Sequence, residues 1–187
     1  ARAADNDVRR MVFASADVAT SREAAALASA QTDAPEIYAL AGVHPHEAEN
    51  VSPSYIAELE AIAADERVCA VGEIGLDYFY DHSPREVQRR VFSEQIELAK
   101  RIGKPIVIHV RDAQNRAEGD ANGEVYAMLR EQGADAVGGV IHCFSGHAED
   151  AKAALELGFY ISFAGPVTYP KNQALREIAM TVPLDRI

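Results

Sequence analysis

The chain of 187 residues is long enough for one domain with a sizeable core. Its 48% hydrophobic and 25% charged residues, with 12 Gly and 8 Pro, exclude a disordered chain, a collagen repeat and a disulfide scaffold. A net charge of −11, from 18 basic against 29 acidic side chains, excludes a broad phosphate-tracking surface. Any contact with nucleic acid must then be local, at an end, with a metal or a few Arg and His groups offsetting the repulsion.

No run reaches the roughly 20 apolar residues of a membrane helix. The opening ARAADNDVRR contains no apolar signal-peptide core. Cys69 and Cys143 lie singly in apolar runs without a CxxC, the usage of buried thiols in a reducing compartment, and a cytoplasmic location is expected.

Taken in order, the chain alternates short apolar runs with helical stretches. After what reads as the tail of a helix comes a first strand, Arg10–Ala14, and then a second, Ile37–Val43. Ser52-Pro53 opens a helix. Val68–Ile74 is the third strand. Ser83-Pro84-Arg85-Glu86 reads as a capping box with Pro at the first helical position. Val87, Val91, Leu98 and Ile102 then follow at helical spacing to a stop at Gly103. Pro105–Val110 is the fourth strand, and the polar stretch from Asp112 to Gly123 reads as a surface loop or insertion. Gly133 and Gly158 end two further helices, before strands Ala136–His142 and Phe159–Phe163. The last six residues, Val182–Ile187, read as a loop entering another strand.

These runs are too continuous for half-exposed antiparallel strands, and they predict a parallel sheet buried on both faces. Strands begin near residues 11, 38, 69, 105, 137 and 159, so each βα unit takes roughly 30 residues. Six units fill the chain, where a (β/α)₈ barrel takes eight and roughly 250 residues. The expected fold is α/β: a TIM-type (β/α)₈ barrel lacking its first and last strands, with residues 1–187 forming one domain cut at both ends. A six-stranded doubly wound sheet is the competing arrangement.

Polar residues recur where the strands end: His44 and His46 after the second, Glu73 and Asp77 after the third, His109 and Arg111 on the fourth, His142 on the fifth. That edge carries the active sites of parallel α/β folds. One such histidine is usually a satisfied core or loop residue, but four successive strands ending in His or Glu point to a metal or catalytic site. Imidazoles with a carboxylate suit Zn²⁺, Mn²⁺ or another transition ion. Two imidazoles and one carboxylate would complete a three-ligand site or form part of a two-metal site. Cys143, next to His142 on a strand, is expected to point away and pack. Asp77 and Tyr78 are weaker candidates, with loop-fixing hydrogen bonds as the plainer role. His82 and His147 read as surface or helix-cap residues. No GxGxxG, Walker or GxSxG motif occurs, so nothing supports dinucleotide, P-loop or serine-hydrolase chemistry.

GVHPHEA (42–48), VGEIGLDYFYD (71–81), KPIVIHVRDA (104–113) and GGVIHCFSGHAEDA (138–151) together resemble the TatD family of metal-dependent deoxyribonucleases, as does GFYISFAGPVTYP (158–170). The resemblance runs in order along nearly the whole chain. It implies a barrel of the amidohydrolase type holding one to three divalent ions (Mg²⁺, Mn²⁺ or Zn²⁺), and hydrolysis of phosphodiester bonds at DNA ends. Carried over residue by residue, it implies Glu73, His109 and His142 as catalytic metal ligands, with Glu73 the bridging one. It also implies His44, His46 and Arg111 as substrate- and phosphate-facing groups. Neither a membrane nor an obligate protein partner is implied.

The sequence departs from the family pattern at two places. No histidine precedes the first strand, where the family carries a metal-binding HxH, and the aspartate of the family's last strand is expected a few residues beyond Ile187. Two other functions are carried forward: an amidohydrolase-like deacylase, lactonase or esterase, such as one acting on D-aminoacyl-tRNA, since the site and not the barrel sets the reaction, and a non-catalytic truncated barrel, which the two departures favour.

Overall fold

The computed structural model describes residues 2–32 and 35–187. Its strands are β1 (Arg10–Phe13), β2 (Glu36–Ala41), β3 (Val68–Asp77), β4 (Ile106–Arg111), β5 (Gly139–Ile141) and β6 (Tyr160–Ile161). They form one sheet in the order β1-β2-β3-β4-β5-β6, every neighbouring pair parallel. Helices α1 (Val18–Ala30), α2 (Tyr55–Ala63), α3 (Arg85–Ile102), α4 (Ala121–Glu131) and α5 (Ala148–Glu156) make the crossovers, and α6 (Gln173–Thr181) follows β6. A doubly wound sheet reverses its strand order at a switch point. This order never reverses, and the strands curl as part of a TIM-type barrel. Among the described residues, no helix is long and apolar enough to cross a membrane.

The apolar runs become core because helices cover the sheet. Ile74, Leu76, Ile106, Ile108 and Ile141 are fully buried against Phe92 and Ile96 of α3 and Val125 and Leu129 of α4. β1 departs from the expected burial. It pairs with β2 alone, so Met11 and Val12 remain 37% and 54% exposed.

Several local expectations are corrected. Ser83 does not cap α3: Pro84 is the N-cap, without a side-chain bond. The Ser83 hydroxyl instead donates to the His46 carbonyl (3.0 Å) and accepts the Glu49 amide (3.0 Å). A tertiary bond across 37 residues has displaced the local one. Helix α2 starts at Tyr55 behind Ser54, two residues beyond Ser52-Pro53. Leu184–Arg186, read as the entry to a further strand, form a 3₁₀ turn. The polar stretch after Asp112 is partly ordered. Arg116 binds both carboxylate oxygens of the buried Asp150 at 2.9 and 2.7 Å, and α4 already begins at Ala121.

Two features align the strand ends. Gly75 has φ +142°, and a Cβ there would lie 1.9 Å from the His109 carbonyl oxygen, so only glycine lets β3 and β4 approach this closely. Helix α3 inserts two buried glutamines, Gln88 and Gln95, into the sheet edge. Gln95 accepts the Val43 amide (2.7 Å) and donates to its carbonyl (3.0 Å). Gln88 accepts the Asp77 amide (2.8 Å) and donates to the carbonyls of Asp77 and Ser83. Backbone groups that leave the ladder at the ends of β2 and β3 are thereby satisfied.

Candidate metal centre

The polar residues meet at the C-terminal edge of the sheet. Beyond β2, the His44 amide donates to the Ala16 carbonyl (2.8 Å), and His44 Nδ1 accepts the His46 amide (3.2 Å) at the start of a 3₁₀ turn, Pro45–Asn50. Register pairs Gly75 with His109 and Asp77 with Arg111. The ring centroids of His44 and His109 lie 4.4 Å apart, as do those of His44 and His46.

Two three-residue sets bring one donor atom each within 4.8 Å of the others: His44, Glu73 and His109; and His46, Asp77 and His109. His109 belongs to both. Its Nδ1 faces Glu73 Oε1 at 3.4 Å, and its Nε2 meets Asp77 Oδ2 at 2.9 Å. His142 Nε2 lies 3.9 Å from the same Glu73 oxygen, half exposed and outside both sets. Glu73, His109 and His142 are thus adjacent, Glu73 in the middle. His44 also enters the tighter set. Imidazole nitrogens and carboxylate oxygens at this separation fit a divalent cation of the Zn²⁺ or Mn²⁺ kind.

Electrostatics separates His44 from His109. Burial, with the neighbouring His109 and His46 rings, lowers His44 to about 4, which keeps it neutral. Burial opposes charge on His109 too, but hydrogen bonds to Asp77 and Glu73 outweigh it and raise the ring to about 8. Glu73 is held below its ordinary value: its burial is outweighed by the bond to His109 and the nearby His142 and His44.

Asp77 combines the loop-fixing role with a second one. Its side chain is fully buried. One oxygen accepts the amides of Phe79 (3.0 Å) and Tyr80 (2.9 Å), and the other takes His46 (3.0 Å) and His109 (2.9 Å). Burial raises its pKa, but the bonds to His109, Tyr80 and His46 hold the carboxyl well below the usual range. An ionised carboxylate only accepts, so both rings present Nε2–H to it. His109 Nδ1 is then the nitrogen left facing Glu73, an arrangement typical of a carboxylate oriented behind a metal-binding histidine.

Arg111 projects over two aromatic rings, its Cζ 4.0 Å from the Phe79 centroid and 4.8 Å from that of Tyr80. Among the described residues, no carboxylate pairs with it. Tyr80 stacks parallel to His82, and both contact the His46 ring edge-on. His82, read as a surface residue, is exposed as expected but flanks the cluster; His147 is the N-cap of α5. Cys143 lies beyond the end of β5 with φ +48°, so strand alternation does not apply to it. It lines a cleft of about 240 Å³ with His109, Arg111, His142, Ser145 and Pro166. Burial and the charge of Glu73 push its thiol up, which leaves it a poor ligand.

The sequence reading did not find Gln88, Gln95, Phe79 or the bridging role of Asp77. The glutamines did carry a signal: they are spaced i, i+7 on the face of α3 that also bears Val91 and Leu98.

The family model described as TatD related DNase matches residues 1–187. An uncharacterized metal-dependent hydrolase of Bacillus subtilis, YabD, is 42% identical over 151 residues, which cover 81% of this chain and 56% of the relative. A 3'-5' ssDNA/RNA exonuclease TatD of Edwardsiella piscicida is 34% identical over 188 aligned positions, covering 100% of this chain and 68% of that protein. The crystal structure of a TatD homologue of Escherichia coli, YJJV, superposes with a TM-score of 0.86 at 29% identity, over 99% of this chain and 68% of that one. The chain spans little more than half of several relatives, 56% of YabD and 51% of an Escherichia coli hydrolase, YcfH.

Proposed function

The chain belongs to the TatD related DNase family, and on that premise we propose that it forms the greater part of the active centre of a metal-dependent nuclease that hydrolyses phosphodiester bonds at DNA ends. One observation carries the reading. His109 and His142, the two imidazoles that flank Glu73, line one cleft with Arg111, an arginine without a carboxylate partner among the described residues of a chain of net charge −11.

In this reading Glu73, His109 and His142 hold the cation, with His44 close enough to join them. A divalent ion held by these residues would supply Lewis acidity toward a phosphate and would acidify water. The rest of the chemistry belongs to side chains. Arg111 offers forked N–H donors to the phosphate. His44 and His46 line the substrate side, and neutral His44 can donate or accept. Asp77 holds the rings of His46 and His109 in place. The acidic surface repels the remainder of a long duplex, which favours an end over an internal site.

The test is hydrolysis of a 3'-labelled single-stranded oligonucleotide with Mg²⁺ or Mn²⁺, alongside a panel of ester, lactone and aminoacyl substrates. Shortening from an end that EDTA abolishes, Mn²⁺ restores and Glu73→Ala loses is the expected result. Cleavage that survives EDTA, or turnover confined to the ester panel, overturns the proposal.

A further inference from the structure

Phe79 has no part in the cation site, yet it lines a hollow that adjoins the cleft of that site. Two hollows adjoin at Arg111 and Ser145. One, of about 240 Å³, contains His109 and His142. The other, of about 360 Å³, contains Phe79, Gln114 and His147. Arg111 covers one face of the Phe79 ring at 4.0 Å. Tyr80 meets that ring edge-on, with an interplanar angle of 79°, and no other ring lies parallel to it among the described residues. Phe79 nonetheless stays 43% exposed. By contrast, Tyr80 already stacks on His82 and lies under Arg111.

A phenylalanine that lines a hollow and stays exposed is apolar surface left in water. Its backbone is no mobile tip, because the Phe79 amide is held by the buried Asp77 carboxylate at 3.0 Å. A guanidinium over an aromatic ring keeps its N–H donors at the rim, free for a phosphate beside the ring. A phosphate there would bring the base of the next nucleotide level with Phe79. Base–aromatic stacking is insensitive to sequence and needs an unpaired base, so it selects single strands.

We propose that Phe79 and Arg111 form a second nucleotide subsite, in which Arg111 takes the phosphate and Phe79 stacks the base of the nucleotide adjoining the one at the cation site. The inference rests on the nuclease reading above and narrows it to single-stranded or frayed ends.

The experiment uses the full chain with Mn²⁺ and phosphorothioate-linked (dT)₄, which resists hydrolysis, beside the same oligomer with abasic residues. The wild type should bind the base-bearing oligomer roughly tenfold more tightly than the abasic one, the scale of one stacked base. Phe79→Ala should lose that preference while keeping its affinity for the abasic strand. Phe79→Trp should retain the preference, and as the sole tryptophan in a chain that has none, its emission should be quenched by (dT)₄ and not by the abasic oligomer. A preference that persists in Phe79→Ala, or tryptophan emission blind to the base, overturns the subsite. Hydrolysis of bis(p-nitrophenyl) phosphate by the wild type is measured in parallel. If that metal-dependent activity is present while the base preference is absent, the subsite fails alone; if both are absent, the nuclease reading fails with it.

Discussion

Replacing Asp77 by asparagine keeps the shape and removes one acceptor. The amide oxygen can still take the Phe79 and Tyr80 amides, so the loop after β3 keeps its bonds. The other position becomes an NH₂ group facing the ring nitrogens of His46 and His109, now 3.0 and 2.9 Å from a carboxylate oxygen. Two N–H donors cannot bond each other, so for a cation to be bound by the neutral ring His109 must turn or carry its one hydrogen on Nδ1, the atom that faces Glu73 at 3.4 Å. Either change removes a lone pair from the cation site. Outer-sphere losses of this kind weaken metal binding about 10- to 100-fold, and two lost charge-assisted bonds in a fully buried position should lower stability by about 2 kcal/mol. Calorimetric titration of Mn²⁺ into the wild type and Asp77→Asn measures the first, and urea unfolding the second. An Asp77→Asn protein that is folded and binds Mn²⁺ with wild-type affinity would refute the orienting role.

Other substitutions test other parts of the fold. Gly75→Ala should prevent β3 and β4 from closing, since its Cβ would sit 1.9 Å from the His109 carbonyl oxygen at a positive φ; a loss of more than about 3 kcal/mol in denaturant unfolding is expected. Asp17 caps α1 by accepting the Thr20 amide at 2.7 Å, and the bonds from the Thr20 hydroxyl and amide hold its carboxyl below the ordinary value. Asp17→Ala should therefore cost about 1 kcal/mol at pH 7. Because the folded pKa is the lower one, the difference from wild type should persist above pH 4 and vanish as acid protonates the carboxylate, as urea unfolding at a series of pH values would show. Tyr126 is 3% exposed and its hydroxyl has no hydrogen-bond partner among the described residues. Tyr126→Phe should accordingly be neutral or stabilising by up to about 1 kcal/mol in thermal unfolding, and a clear loss of stability would show that the hydroxyl is bonded.

The alternation of apolar runs and helices, and the glycine stops at Gly103, Gly133 and Gly158, were legible because they are local: each depends on periodicity or on a left-handed backbone angle. The histidines and Glu73 were legible for a related reason. A parallel sheet brings all its strand ends to one edge, so residues far apart in sequence are adjacent once the strands are aligned. Local signals failed where a distant group competed for the same atoms, as when the Ser83 hydroxyl bonded residues of the Pro45–Asn50 turn instead of capping α3.

Composition and spacing determined that this chain builds parallel βα units with imidazoles and carboxylates on one edge, since period and residue type are properties of the sequence itself. Only the tertiary structure decided that Asp77 bridges His46 and His109, that Gln88 and Gln95 satisfy the strand ends, and that Arg111 lies on Phe79. Those relations depend on register, on the close approach allowed at Gly75, and on which face of α3 meets the sheet. All three are set by the packing of segments distant in sequence, so no local pattern records them.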